Sequence, residues 1–372
     1  MKEKQYTLGD FVEVPLSSMI DPQSSSYDRF VGLEHYDSRE PVITRYSGKE
    51  ILTSSVKEFK RGDFLIARRN VYLERAGVAI FDGITSGDSI ILRVKEDSDH
   101  NTGIPAELVK RILPFVLNSN SFWAYANRHA DGMNSKRISK DKILDFEFNL
   151  PSIEYLSLLS DKLWAGYELK RSYQDMIKTT DEMVKSQFIE MFGTPASNEL
   201  GLPTKYLNEF SDNLDSKRIP ISSGNRKEGP YPYYGASGIV DHVADYIFDE
   251  TLLLISEDGA NLKDRVTPIA FTASGKYWVN NHAHILRFKD MSIHNYVEHF
   301  INYLNVEKYL TGMAQPKLNQ DRLNAIPVNM PSSTNIAKFH CICKQADKSK
   351  FELKKAIEAI DKVIKSLINE NL

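Results

Sequence analysis

The chain has 372 residues, of which 41% are hydrophobic and 26% charged, a composition typical of a globular protein with about two domains. No apolar run approaches the roughly 18 residues of a membrane span, and no apolar stretch follows the charged start, so no transmembrane segment or secretory signal is expected. Only two cysteines occur, Cys341 and Cys343, which excludes a disulfide framework and favours a cytoplasmic location. The net charge of −3 is unusual for a nucleic-acid binder, so either the basic residues gather on one face or an acidic surface elsewhere meets a protein partner.

The first segment, residues 1–150, is predicted to form a globular domain of mixed α/β structure, called the first head. Apolar runs predict strands over 63–67, 77–81 and 89–94, and a helix over 106–118. Near its end, polar and basic residues run from Asn134 to Arg137, with Lys136 and Arg137 as the cations. These residues lie where the head meets the next helix, and we expect a surface that faces DNA there.

The second segment, residues 151–193, is predicted to be one long helix. Apolar and small residues recur in alternating steps of four and three, as the a and d positions of a coiled coil do: Leu159, Leu163, Gly166, Lys170, Tyr173, Ile177, Thr180 and Val184. Pro151 suits the start of a helix, and Gly193 followed by Pro195 suits its end.

The third segment, residues 198–330, is predicted to be a second globular head. Strands are expected over 251–255, 268–271 and 284–288, with a helix over 294–304. Before them lies a basic loop rich in glycine, proline and tyrosine, which can bind phosphates and base edges. The residues of this loop that we expect to contact DNA are Lys217, Arg218, Arg226, Lys227, Tyr233, Tyr234 and Ser237. An ordinary surface loop with tyrosines packed on the sheet is the alternative.

Three further polar clusters follow in the second head. Ser256–Asn261 comes directly after a strand, and Trp278–His284 contains Asn280, Asn281 and His282. Lys317 lies in Gln315–Lys317, at the position that corresponds to Lys136 and Arg137 in the first head. Asparagine suits adenine, and arginine or lysine suits guanine. His282 and His284 could instead hold a metal, but no cysteine or third histidine lies at ligand spacing, so no metal site is expected.

The last segment, residues 331–372, repeats the first helix. With a constant separation of 180 residues, Asn149–Ser152 matches Asn329–Ser332, and Lys170 and Asp181 match Lys350 and Asp361. Ser332–Thr334 offers helix caps. The a and d positions of this helix are Phe339, Cys343, Ala346, Lys350, Leu353, Ile357, Ile360, Ile364 and Leu367.

Such a repeat predicts two α/β heads separated by long helices that pair as an antiparallel coiled coil, a dumbbell with a pseudo-twofold axis. Both helices carry a lysine at the same a or d phase. A polar residue at such a position costs stability but fixes the register of pairing. Two separate amphipathic helices, each buried on its own head, are the alternative.

The motifs of the second head resemble the target recognition domain of type I restriction-modification specificity subunits. The resemblance lies in Lys217–Pro220 with Tyr231–Ile239, then Ile255–Asn261, then Trp278–His284. The first head lacks these runs and carries Arg68, Arg69 and Asn70 in place of the Glu-Asp-Gly-Ala segment. By this resemblance, Arg68, Arg69 and Asn70 become candidate DNA contacts.

The resemblance implies a non-catalytic DNA-recognition subunit that joins two modification subunits to make an adenine-N6 methyltransferase. Restriction subunits would add ATP-dependent translocation and cleavage. Each head would bind one half of an interrupted target, and the paired helices would set the gap. S-adenosylmethionine, ATP and Mg²⁺ are expected on the partner subunits, with no cofactor on this chain. The partners could also supply much of the phosphate neutralisation that this acidic chain lacks.

Two other classes of function stay open. An enzyme would need a catalytic constellation, but the sequence has no dinucleotide fingerprint, no Walker-type loop and no Asn-Pro-Pro-Tyr motif of adenine methyltransferases. Glu257 and Asp258, with Lys263 and Asp264 nearby, could serve a nuclease, although neighbouring residues at a strand end point to opposite faces. A protein-binding scaffold built on the coiled coil is the third possibility.

Overall fold

The structure is a computed structural model that describes residues 4–16, 19–50, 52–133, 135–312 and 315–372. It divides into two compact units, Met1–Gln174 with Lys354–Leu372, and Asp175–Leu353. Each unit contains one head and one part of each of two long helices. Within the described residues, no helix combines the length and the hydrophobicity that crossing a membrane requires.

The first head is built on a five-stranded sheet in the order β2-β9-β6-β7-β4, with smaller sheets β3-β8-β5 and β1-β10 beside it. Its strands are β1 (Lys4–Thr7), β2 (Val12–Glu13), β3 (Phe30–Val31), β4 (Val42–Ile43), β5 (Val56–Phe59), β6 (Phe64–Ala67), β7 (Ala76–Ala79), β8 (Gly83–Ser86), β9 (Ser89–Val94) and β10 (Glu147–Leu150). The strands predicted over 63–67, 77–81 and 89–94 are found as β6, β7 and β9.

Helices cover one face of this sheet. They are α1 (Leu8–Phe11), α2 (Ser98–Thr102), α3 (Ala106–Val116), α4 (Asn120–His129) and α5 (Lys140–Leu144). All four residues of β6 are buried, and α3 packs its apolar side against the sheet with Ile112 and Leu113 only 1% exposed. Ser119 caps α4 by accepting a hydrogen bond from the backbone N–H of Phe122. The helix predicted over 106–118 is confirmed.

The second head has a four-stranded sheet in the order β12-β19-β16-β17, a second sheet β14-β13-β18-β15, and the pair β11-β20. Its strands are β11 (Thr204–Tyr206), β12 (Asp212–Asn213), β13 (Tyr231–Gly235), β14 (Gly238–Val243), β15 (Phe248–Asp249), β16 (Leu252–Ser256), β17 (Ala270–Ala273), β18 (Lys276–Val279), β19 (Ala283–Arg287) and β20 (Pro327–Asn329). The central order β19-β16-β17 repeats β9-β6-β7 of the first head, with the same antiparallel pairing.

Two long helices connect to the heads. The first is α6 (Ile153–Phe192); after α7 (Asn261–Asp264), α8 (Met291–Tyr303) and α9 (Gln320–Asn324), the second is α10 (Ser333–Asn371). Ser152 and Ser332, which match in the repeat, accept hydrogen bonds from the N–H groups of Tyr155 and Asn335 at 3.4 and 3.3 Å. Gly193 ends α6 with a left-handed φ of 72°, as the sequence predicts.

The long helices pair antiparallel in each unit. In the first unit, Gly166 lies against Ile364, and Lys170 Nζ lies 2.9 Å from the Asp361 carboxylate. In the second unit, Lys350 Nζ lies 2.8 Å from the Asp181 carboxylate, and Phe339 contacts the rings of Phe188 and Phe192. In each unit, the residue numbers of the contacting residues decrease along α10 as those on α6 increase. The predicted antiparallel pairing is therefore confirmed within each unit. The two lysines predicted at equivalent phase each form the equivalent cross-helix ion pair.

Candidate nucleic-acid interface

Three segments of the second head meet where β16 ends, and backbone hydrogen bonds join them. The N–H of Glu257 donates to the carbonyl of His282 at 2.9 Å, and the N–H of Leu318 donates to the carbonyl of Glu257 at 2.7 Å. The N–H of Gly259 donates to the carbonyl of Pro316 at 3.1 Å. We call residues 257–259, 280–284 and 315–318 the second platform. It unites three of the four polar clusters singled out in the sequence.

The first head builds the same arrangement where β6 ends. The N–H of Arg68 donates to Asp88 at 2.9 Å, that of Ile138 donates to Arg68 at 3.0 Å, and that of Asn70 donates to Lys136 at 2.8 Å, all at carbonyl oxygens. We call residues 68–70, 88 and 135–138 the first platform; Asn134 lies outside the described residues. The two platforms correspond bond for bond.

The matching positions Asn70 and Gly259 show why the platforms share one backbone path. Their φ angles are 56° and 107°, in the region that glycine and asparagine tolerate best. The departure from the Glu-Asp-Gly-Ala motif in the first head therefore preserves the turn. It changes only the side chains that the turn presents.

The central position of each platform carries an exposed cation. Arg137 exchanges both backbone hydrogen bonds with Asp131, and Lys317 does the same with Thr311. Their side chains are 49% and 47% exposed. The cations predicted at the junction of head and helix are thus held on a fixed backbone and face solvent.

The acidic and basic side chains beside these cations occupy opposite positions in the two platforms. In the first, Arg69 follows the strand and its guanidinium lies 3.7 Å from the carboxylate of Asp88. In the second, Asp258 follows the strand and its carboxylate lies 2.8 Å from Nδ1 of His282. Acid and base have exchanged places on one scaffold, so the two surfaces present different hydrogen-bonding groups.

A buried polar network lies behind the second platform. His284 is 1% exposed; its Nδ1 lies 2.6 Å from the Asp215 carboxylate, and its Nε2 lies 2.7 Å from the carbonyl of Leu318. Arg218 donates to Glu257 at 2.6 Å. Burial opposes ionisation of Asp215, but the hydrogen bond and charge of His284 outweigh it and hold the pKa of that carboxyl below its ordinary value.

The contacts of this network bear on the two alternatives of a metal site and a nuclease. Ligand atoms of Asp215, Glu257 and His284 lie within 4.8 Å of one another. The guanidinium of Arg218 and the ammonium of Lys317 already supply positive charge to Glu257. His282 and His284 bind different acids, and Glu257 and Asp258 bind different bases, so neither pair converges on one ion in these described residues.

The structure corrects the interpretation of several predicted contact residues of the second head. Tyr233 is 1% exposed, and its hydroxyl accepts a hydrogen bond from the N–H of Ile221 at 2.9 Å. Asn280 is 6% exposed, and its side chain accepts a hydrogen bond from the N–H of His282. Both side chains therefore shape the surface from beneath. Arg218 is also internal, because it is bound to Glu257.

The remaining predicted residues differ in exposure. Tyr234 is half-buried against Phe271 and Tyr277, and Arg226 lies over the Tyr233 ring and pairs with Asp241. Arg68 is half-buried and Asn70 accepts a hydrogen bond from Ser135. The exposed members are Lys217, Lys227, Ser237, Asn281, His282, Lys317, Arg69, Lys136 and Arg137.

Sequence reasoning missed Asp88 and Asp215 as parts of the site, and it considered His284 only as a possible metal ligand. Asp88 lies in a turn between β8 and β9 that carries no motif. Asp215 precedes Lys217 and Arg218 and belongs to no motif of its own. The similarity of the sequences of β9 and β19 is the signal that could have identified Asp88 as the first-head residue equivalent to His282.

Comparisons with known proteins agree with this geometry. Over nearly the whole chain, the fold is similar to that of a type I restriction-modification S subunit from M. genitalium (TM-score 0.55, 13% identity, 98% of this chain and 96% of that one). A structure from a study of complex assembly in the type I R-M system is similar as well (TM-score 0.54, 15% identity, 100% and 98% covered). The chain therefore shares its fold with the M. genitalium S subunit.

Sequence similarity points to the same class of protein. Residues 204–361 match the model of the type I restriction modification DNA specificity domain. A Haemophilus influenzae protein described as a type I restriction enzyme specificity subunit is 32% identical over 127 residues, 34% of this chain. The match spans 32% of that relative's length. The resemblance expected from the sequence is confirmed.

Proposed function

We propose that the chain is the non-catalytic DNA-recognition subunit of a type I restriction-modification complex. One observation carries the proposal: the DNA specificity domain at 204–361 contains the second platform, and the first head repeats that platform bond for bond. Two copies of one surface with different side chains suit a protein that recognises two different half-sites. We take residues 1–150 and 198–330 as the two target recognition domains.

The helices have two roles in this proposal. Residues 151–193 and 331–372 set the distance between half-sites and dock two modification subunits. S-adenosylmethionine, ATP and Mg²⁺ belong to the modification and restriction subunits, which also contribute phosphate contacts. The complex acts on host DNA, which places it in the cytoplasm.

Sequencing that detects N6-methyladenine tests the proposal directly. Host DNA is compared with and without this gene while the modification subunits are expressed. We expect a bipartite methylated motif that disappears with the gene. An unchanged methylation pattern would refute the proposal and favour the scaffold, which salt-insensitive partner binding without DNA affinity would then support.

The spacing role has its own test. One heptad is inserted into α6 and a matching heptad into α10, so that the a and d positions stay aligned. A helix gains about 10 Å from seven residues, so we expect a longer gap between the half-sites of the methylated motif. A heptad in α6 alone is the control and should disrupt pairing. An unchanged gap in the doubly extended protein would contradict the spacing role.

A further inference from the structure

The first platform contains Arg137, whose surroundings differ from those of Lys317 at the equivalent position of the second platform. Arg137 has its backbone bonded to Asp131 and bridged to Arg69, so its Cα is fixed from both sides. Its guanidinium lies 3.4 Å from Asp88 through one terminal nitrogen, and the side chain is 49% exposed. Both contacts of this guanidinium with Asp88 are made by that one nitrogen.

Its neighbours hold this arginine in place. Asp88 is 27% exposed and lies between the guanidinium groups of Arg69 and Arg137, at 3.7 and 3.4 Å. Arg69 is held in addition by a 2.9 Å hydrogen bond from its Nε to the hydroxyl of Ser135. Side chains restrained in this way lose little conformational freedom on binding, which favours precise recognition over a loose charge contact.

The matching position of the second head carries Lys317. Its ammonium lies 3.2 Å from Glu257, in a surface lined by Asp258 and His282. Lysine is a compact point charge, whereas the planar guanidinium of arginine presents paired N–H donors that fit the O6 and N7 acceptors of guanine. Equivalent positions therefore carry groups with different recognition properties.

We propose that Arg137 is the specificity-determining residue of the first head and binds the major-groove edge of a guanine in its half-site through two hydrogen bonds. Asp88 and Arg69 are positioning residues that aim the guanidinium. Lys317 makes no such contact in the other half-site. This inference rests on the proposed function, because it requires that the head contacts base edges.

The test uses the complete complex with its modification subunits and duplexes that carry the methylated motif. Each guanine is replaced in turn by 7-deazaguanine, which lacks the N7 acceptor. We expect one position, in one half-site, to lower the affinity about 5- to 100-fold for the unaltered protein. The Arg137→Ala protein should be insensitive to the same replacement.

Arg137→Lys separates base recognition from charge. It should lower discrimination at that guanine, because an ammonium lacks the planar fork of paired donors, while binding to unrelated DNA stays unchanged. Asp88→Asn should weaken discrimination partially, with the lost affinity confined to the same base pair. Arg61→Lys, at an exposed arginine of the same head outside the platform, is the matched control and should change nothing.

The outcomes are distinct. Uniform weakening on all sequences with a shallower salt dependence would show a phosphate contact and overturn the inference. A methylated motif with no guanine in either half-site would overturn the inference as well. So would the absence of any guanine at which 7-deazaguanine weakens binding of the unaltered protein but not of the Arg137→Ala protein. A methylation pattern that is the same with and without the gene would instead be the failure of the proposed function. The 7-deazaguanine measurement on the unaltered protein needs no variant to fold.

Discussion

The two lysines inside the paired helices should contribute unequally to stability, although they match in the repeat. Lys170 is 12% exposed and bonds to both Glu40, which is 26% exposed, and Asp361. Lys350 is 23% exposed, and its partners Asp181 and Asp347 are 61% and 66% exposed. Solvent screens the second cluster much more than the first.

Replacing each lysine by methionine keeps an unbranched side chain that is one atom shorter and removes the charge. Lys170→Met leaves two partly buried carboxylates without their cation, and we expect a loss of about 1–3 kcal/mol in the free energy of unfolding. Lys350→Met removes an ion pair with exposed partners, worth about 0–1 kcal/mol. Burial disfavours the charged form of Lys170, yet Glu40 and Asp361 raise its pKa, which agrees with a net favourable site.

Denaturant unfolding followed by circular dichroism at neutral pH measures both variants against the unaltered chain. Adding Glu40→Gln to Lys170→Met should recover part of the loss, because it removes one of the unpaired carboxylates. If the two methionine variants had equal effects, or if Lys170→Met stabilised the protein, the burial of the ion cluster would not determine how much it contributes to the free energy of unfolding.

Three further predictions concern the second unit. Tyr233→Phe removes a buried hydroxyl that bonds to Ile221 and should cost about 1 kcal/mol in denaturant unfolding; full stability with altered DNA recognition would show that the hydroxyl faces DNA instead. Burial raises the pKa of Glu298 to about 7. The contribution of Glu298 to folding stability is therefore complete at pH values below its ordinary pKa of 4.5 and is lost as the pH rises through 7. Glu298→Gln should therefore match the unaltered chain near pH 4 and exceed it at pH 8, by on the order of 3 kcal/mol at most; a constant difference across this range would contradict the assignment. Asp215 has a lowered pKa despite its burial, because of His284, so its contribution is present above 3.8 and is lost as pH falls through its folded value. Asp215→Asn should flatten the acid limb of unfolding measured between pH 2 and 6, and an unchanged limb would count against the His284 pair.

Features that depend on local periodicity followed from the sequence alone. The 180-residue repeat predicts two equivalent helices, and the alternation of apolar residues predicts their pairing with Lys170 and Lys350 at matching phase. The strands around 64–67 and 252–256 are continuous apolar runs, and glycine and proline mark the helix ends. In each case the signal is carried by neighbours in the chain, where side-chain spacing maps directly onto one face of an element.

Only the tertiary structure decided which polar residues reach the surface. Tyr233 and Asn280 belong to the motifs that mark the second head, yet both are buried and support the residues that are exposed. Asp88 belongs to no motif, yet it lies between two arginines from segments distant in sequence. A residue type states which hydrogen bonds a side chain can make. Whether those bonds go to the protein or outward depends on which strand ends and turns meet, and long-range backbone pairing sets that.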